Sequence, residues 1–159
     1  MPRLAIIQAE GASPLYQAFT KEFEDFEPMK AQTRATAIKI GNPVNYAKAV
    51  RAINWTNSWV ESVTDQEILD AKALIDRAGI GCEPASACSL AGTKKLVELG
   101  VIQPDETVLG VLTGHVLKDP DATIGYHANS LEDIEAHFAN TLLSAGDDID
   151  EIINLLSSN

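Results

Sequence analysis

The run Trp59-Val60-Glu61-Ser62-Val63-Thr64-Asp65-Gln66-Glu67-Ile68 decides the fold. Asn57 to Val63 carries Trp59, Val60 and Val63, and reads as a strand. Thr64 and Glu67 then stand at the spacing of a capping box, in which the hydroxyl and the carboxylate satisfy free backbone donors at a helix start. Ile68, Ala71, Leu74 and Ile75 fall on one face of the helix that follows, and Gly79 should end it. A strand that hands over directly to a capped helix is half of a strand–helix–strand unit. Such units build a mainly parallel sheet flanked by helices.

The pattern repeats on either side. Arg3 to Ala9 is a short apolar run that reads as a buried strand, ended by Glu10-Gly11. Ser13-Pro14 supplies an N-cap and first position for a helix through about Phe23. Residues 24–36 read as a surface connection. Asn42-Pro43 opens a second helix through Tyr46, Ala47, Val50 and Ile53. Beyond Gly79 a helix is expected over about 86–99, closed by Gly100 at C′. Thr107 to Leu112 has the pattern of a buried strand. Ser130 can cap a helix over 131–144, and Asp147-Asp148 can open a last one. The class is α/β, and ligands in such sheets sit at the carboxyl ends of strands. Glu10-Gly11 and Thr113-Gly114-His115 occupy those ends.

Charge is unevenly spread over the 159 residues, whose formal net charge is −11. Residues 119–159 contain nine acids and no Lys or Arg, so the body is nearly neutral and the C-terminal end is acidic. No basic cluster offers a footprint for nucleic acid or an anionic membrane. No apolar stretch approaches the roughly 20 residues of a membrane helix. Two cysteines, Cys82 and Cys88, exclude a disulfide framework, and the start lacks the pattern of a signal peptide. These features predict a cytoplasmic protein with reduced thiols.

Gly79-Ile80-Gly81-Cys82-Glu83-Pro84 mimics a dinucleotide fingerprint, but it follows a helix and has proline where a small residue is needed. Gly110 to Gly114 lacks the Lys-Ser/Thr pair of a phosphate loop. Cys82 and Cys88 are too widely spaced for a zinc pair, and His115, His127 and His137 form no ligand array, so no metal is expected.

Five ordered segments carry a family resemblance. They are Gln8-Ala9-Glu10-Gly11, residues 35–43 (Ala-Thr-Ala-Ile-Lys-Ile-Gly-Asn-Pro), residues 62–69, residues 81–87 and residues 112–120. Together they resemble the threonine synthases, pyridoxal-phosphate enzymes of fold type II that make L-threonine and phosphate from O-phospho-L-homoserine and water. The resemblance covers residues 8–120 and implies that the cofactor lies between two α/β domains. It implies that Thr113 bonds the pyridine nitrogen, that Ile40 and Gly41 line the ring, and that Glu83 stands near it. A neutral hydroxyl suits an unprotonated nitrogen, whereas a carboxylate would keep it protonated. A glycine at position 41 would let a flat ring approach the backbone. For Glu83 and Ser86 a carboxylate at a helix start and an N-cap are sufficient alternative explanations.

The chain departs from the family in lacking its Ser-Phe-Lys-Asp, Ser-Gly-Asn-Thr and Gly-Asn-Ala-Gly-Asn segments. The first carries the lysine that forms an imine with the cofactor, and the last cradles the cofactor phosphate. No catalytic residue is therefore assigned. Residues 1–120 are expected to be the C-terminal portion of the catalytic region, inactive alone, and 121–159 an acidic helical extension. Two alternatives stand beside this: a non-catalytic binding or interaction module, and a dehydratase-type lyase of the same fold. The apolar set Leu131, Ile134, Phe138, Leu142, Ile149, Ile152, Ile153, Leu155 and Leu156 either packs on a missing domain or drives self-association, as in a homodimer.

Overall fold

A computed structural model describes residues 1–158. Two strands, β1 (Ala5–Ala9) and β2 (Trp59–Val63), pair in parallel with Ala5 opposite Trp59 and Ala9 opposite Val63. Between them run α1 (Pro14–Thr20) and α2 (Tyr46–Thr56). After β2 come α3 (Asp65–Arg77), α4 (Pro84–Glu98), α5 (Pro120–His127) and α6 (Ile149–Ser157). This is an α/β arrangement with a parallel sheet covered by helices.

The period-2 alternation of the strands sorts side chains into two cores. Ile6 and Val60 are register partners and point to one face, where Leu15 of α1 and Ile53 of α2 close over them. Ile7, Ala9 and Val63 point to the other, against Ile68, Ala71 and Ile75 of α3 and Ala87, Cys88 and Ala91 of α4. The approach of α4 to β1 is close. A Cβ on Gly92 would lie 2.2 Å from Ile7 Cγ1. Val60, Val63, Ile68 and Leu69 are essentially inaccessible, and each contributes about 1.5–3 kcal/mol of transfer free energy.

The capping box at the head of α3 forms as its spacing predicts. The Glu67 N–H donates to Thr64 Oγ1 (3.1 Å) and the Thr64 N–H to Glu67 Oε2 (2.7 Å). Gly79 and Gly100 follow α3 and α4 with φ of +77° and +69°, the left-handed backbone that glycine adopts without strain. The α1 cap differs from expectation. Ser13 makes no capping bond and donates instead to the Glu10 carbonyl (2.7 Å). Gln8 on β1 takes the role, its Oε1 accepting from the Leu15 and Tyr16 N–H groups at 2.9 Å each. The helix ends at Thr20 rather than Phe23, because Glu22 and Phe23 both adopt positive φ.

Two expected elements are absent among the described residues. Thr107–Leu112 forms no strand, and Leu109 is 88% exposed. A strand is completed by hydrogen bonds to a neighbour, and this run makes no ladder with β1 or β2. Leu112 alone of the run packs on the core. Residues 131–144 are likewise not helical. Asp133 adopts a φ of +61°, and the backbone is bound sideways by other elements. Gln66 exchanges two hydrogen bonds with Glu135 (2.8 Å each), and Tyr126 Oη accepts from the Phe138 N–H (3.0 Å). These tertiary bonds use the groups an i→i−4 ladder would need. Leu131, Ile134 and Ala136 pack against Leu69, Ala73 and Tyr126, whereas Ile149, Ile153 and Leu156 of α6 stay exposed. The α5 helix corresponds to no expected element.

Candidate functional site

The first turn of α4 and the chain that passes over it bring three of the resemblance segments into register. Glu83 precedes Pro84, the first residue of α4, and its N–H donates to the Gly114 carbonyl (3.1 Å). In return the Gly114 N–H donates to Ser86 Oγ (2.8 Å), and Ser86 Oγ lies 3.2 Å from Thr113 Oγ1. Gly114 is buried against the Glu83 side chain, where a Cβ would lie 1.8 Å from Oε1. The result is a compact group in which Glu83 and Ser86 are buried while Thr113 reaches solvent.

Capping accounts for neither α4 residue. Glu83 occupies the N-cap position but makes no side-chain cap bond, and Ser86 is the third residue of the helix. Glu83 is only 4% exposed, and its carboxylate oxygens, which accept no hydrogen bond among the described residues, are not cut off from solvent. Ser86 is a functional candidate that sequence reasoning set aside as a cap. The available signal was its place three residues beyond Glu83 in a proline-started helix, too far in to cap it.

The loop that delivers Glu83 is pinned from α3. Asp76 accepts a hydrogen bond from Lys72 Nζ (2.5 Å) through one oxygen and from the Cys82 N–H (3.3 Å) through the other. Lys72 is 2% exposed. Burial pushes the Cys82 thiol up to about 11, with Asp76 and Glu83 adding to the rise and Lys72 opposing it. Burial also pushes Cys88 up to about 12. Both cysteines are free. Gly81, at a φ of +71°, passes within van der Waals reach of Val116.

Ile40 and Gly41 arrive from a different direction. Thr36 hydrogen-bonds Asp119, tying the turn Thr36–Ile38 to the segment beyond Gly114. Ile38, Ala85 and Leu112 pack on the same core cluster, so the three segments converge on the head of α4. Ile40 is half exposed. The space beside Gly41 is taken by protein. A Cβ there would lie 1.8 Å from the Met29 carbonyl oxygen, and the Met29 N–H donates to the Gly41 carbonyl (2.9 Å). Gly11 meets Gln32 in the same way, with a Cβ position 1.9 Å from the Gln32 carbonyl oxygen. Both glycines are therefore required by the strand-like chain 29–32 between them. His115 turns back on its own loop, Nδ1 accepting from the Leu117 N–H (3.1 Å).

No group of three or more His, Cys, Asp or Glu suited to a metal ion occurs among the described residues, and no helix is long and apolar enough to cross a membrane.

Comparison with known proteins bears on this geometry. Residues 1–114 match the family model for pyridoxal-phosphate dependent enzymes. Threonine synthase of Methanocaldococcus jannaschii is 52% identical over 126 residues, covering 78% of this chain and 31% of that protein. Threonine synthase of Methanosarcina acetivorans is 51% identical over the same length, with the same coverage. Chloroplastic threonine synthase 2 of Arabidopsis thaliana is 39% identical over 142 residues, 88% of this chain and 28% of that protein. The chain thus spans about a third of the length of these relatives. The crystal structure of the T.th. threonine deaminase superposes with a TM-score of 0.51 at 18% identity, over 64% of this chain and 36% of that one. That likeness establishes the fold.

Proposed function

The chain belongs to the pyridoxal-phosphate dependent enzymes, and on that premise we propose that it forms the C-terminal part of a threonine synthase. In this reading the completed enzyme converts O-phospho-L-homoserine and water to L-threonine and phosphate. Residues 1–120 supply one wall of the cofactor cleft, and 121–159 are an acidic extension packed outside it. The observation that carries the reading is the Thr113–Ser86–Gly114–Glu83 group at the head of α4, built from segments that resemble those of the threonine synthases.

The donor set fits one end of the cofactor. Thr113 offers a neutral hydroxyl on the solvent side, the partner an unprotonated ring nitrogen needs. The Glu83 carboxylate accepts no hydrogen bond among the described residues and its oxygens keep contact with solvent, so it has capacity left for a hydroxyl or N–H group. No Lys or Arg side chain hydrogen-bonds this group among the described residues, so the set suits the ring and not the phosphate. Pyridoxal phosphate, when bound, supplies the electron sink that stabilises negative charge on an amino-acid carbon. This chain orients that ring. Thr113 would donate to the ring nitrogen, and Gly114 holds the Thr113 backbone against α4. Ile40, half exposed, would border the ring from the second segment, whereas Gly41 would only hold that segment against the Met29 backbone, and Glu83 would face the ring's polar edge. The lysine that anchors the cofactor and the loop that takes its phosphate come from outside these residues, so the chain alone is inactive.

The test is co-expression with a polypeptide carrying the lysine and phosphate-loop segments of the threonine synthases. Phosphate release from O-phosphohomoserine in the joint preparation, and in neither part alone, is expected. Turnover of threonine or serine to the oxo acid, without phosphate release from O-phosphohomoserine, would refute the substrate and indicate a dehydratase.

A further inference from the structure

The hydrogen-bond accounting of the Ser86–Thr113 pair fixes which way its protons point. Ser86 Oγ has one proton and two lone pairs. One lone pair accepts the Gly114 N–H at 2.8 Å. The hydroxyl lies 3.2 Å from Thr113 Oγ1, and no other acceptor is within hydrogen-bond reach of it among the described residues. Two arrangements are possible. If Thr113 donates to Ser86, the Ser86 proton is left without an acceptor on a residue that is 3% exposed. If Ser86 donates to Thr113, every buried polar atom of the pair is satisfied, and the Thr113 proton is released toward solvent, where Thr113 is exposed. An unpaired buried donor is the costlier state, because it has given up water and gained nothing.

We infer that Ser86 is a positioning residue: by donating to Thr113 while accepting from Gly114, it turns the Thr113 hydroxyl into an outward-facing donor. This rests on the reading of Thr113 as the partner of the cofactor's ring nitrogen, and it adds the reason that partner acts as a donor. A site polarised in this way takes a heteroatom that accepts a hydrogen bond. It disfavours a protonated ring nitrogen, which would set one donor against another. The Gly114 N–H is the source of the polarity. A backbone donor cannot reverse, so it commits one Ser86 lone pair permanently, and the buried serine proton is left with Thr113 as its single acceptor. Selection of the ring's protonation state is thereby written into the first turn of α4, and the serine responsible never touches the cofactor.

The test reads hydroxyl protons in the unmodified chain. Deuterium isotope shifts on the 13Cβ signals of serine and threonine distinguish slowly from rapidly exchanging hydroxyls. The Ser86 hydroxyl is expected to exchange at least about tenfold more slowly than that of Thr113, since a paired buried donor is shielded and an outward one is not. The opposite order, or equally fast exchange at both, overturns the inference without any ligand or variant. A second arm uses pyridoxal 5′-phosphate and its 1-deaza analogue, in which a C–H replaces the ring nitrogen, followed through the Thr113 and Gly114 signals. The nitrogen-containing ring is expected to bind about 5- to 10-fold more tightly, the worth of one net hydrogen bond, and Ser86→Ala is expected to erase that preference. Preference retained in Ser86→Ala overturns the role of Ser86 and leaves Thr113 in place. Absence of any preference in the unmodified chain, or no response of Thr113 to either ring, overturns the Thr113 reading and the inference with it.

Discussion

The α3 pair Lys72–Asp76 makes a prediction whose sign is set by unequal burial. The lysine side chain is 3% exposed and the aspartate 18%. Removing the carboxylate by Asp76→Ala leaves an ammonium with no route to water and also strips the Cys82 N–H of its acceptor. Removing the ammonium by Lys72→Met keeps the apolar stem packed. It leaves a carboxylate that still accepts from Cys82 and still touches solvent. Breaking a buried pair by deleting one partner costs about 3–5 kcal/mol when the remaining charge is uncompensated, which is the Asp76→Ala case. Loss of one charged hydrogen bond costs about 1.5–3 kcal/mol, which is the Lys72→Met case. With a urea slope of about 2 kcal/mol/M, the midpoints fall by roughly 1.5–2.5 M and 0.8–1.5 M respectively. The double variant orphans neither charge and is expected to be more stable than Asp76→Ala alone, a coupling of about 1–3 kcal/mol. Urea titration followed by the fluorescence of Trp55 and Trp59 reads all four proteins. The reasoning fails if Lys72→Met is as damaging as Asp76→Ala, or if the double variant shows the sum of the singles.

Three further expectations follow from the packing and the titrating groups. Gly92→Ala gains about 1 kcal/mol of helix propensity but drives a methyl to 2.2 Å from Ile7 Cγ1, an overpacking cost of about 1–3 kcal/mol, so thermal unfolding should show a net loss and an unchanged or raised midpoint would refute the close approach of α4 to β1. Hydrogen bonds and charge from Asp70 hold His137 above its ordinary range, with Glu135 adding to the rise, so its contribution is complete below about pH 6.5 and is lost as pH climbs through the raised value. Burial holds His127 below that range, and its Nδ1 accepts the Asn140 N–H (3.0 Å), so its contribution is present above about pH 6.5 and is lost as pH falls through the lowered value. Amide exchange of Phe138 should therefore slow on mild acidification in a His137-dependent manner, while that of Asn140 should quicken on further acidification. The same profiles in His137→Ala and His127→Ala would refute both assignments. Cys82 and Cys88, raised to about 11 and 12, are almost wholly thiols at pH 8, and a disulfide reagent should modify them only at the rate of unfolding. Rapid labelling of the native chain would contradict their burial.

Much of the site was visible in the order of residues because its parts are local. Thr64 and Glu67 lie within one turn, so their capping box follows from spacing. Gly79 and Gly100 end helices by a backbone conformation that depends on glycine itself. The five segments that resemble the threonine synthases pointed to Thr113 and Glu83. Its place in the helix could have excluded Ser86 as a cap, but its partner was not legible, since Thr113 lies 27 positions away and nothing within one turn of Ser86 names it. Gly41 was read as making room for a ring, and the Met29 backbone occupies the space beside it.

The α/β class, the existence of the two strands, the caps of α3 and the acidic bias of residues 119–159 were determined by sequence alone. They rest on periodicity, on neighbours within four residues, or on composition. Tertiary structure decided that Gln8 and not Ser13 caps α1, that Thr107–Leu112 is not a strand, and that 131–144 is not a helix. It also joined Ser86 to Thr113 across 27 positions of sequence. Each of these turns on where a hydrogen bond finds its partner. A local pattern states that a backbone group or hydroxyl must be satisfied; which distant group satisfies it depends on how the chain is packed.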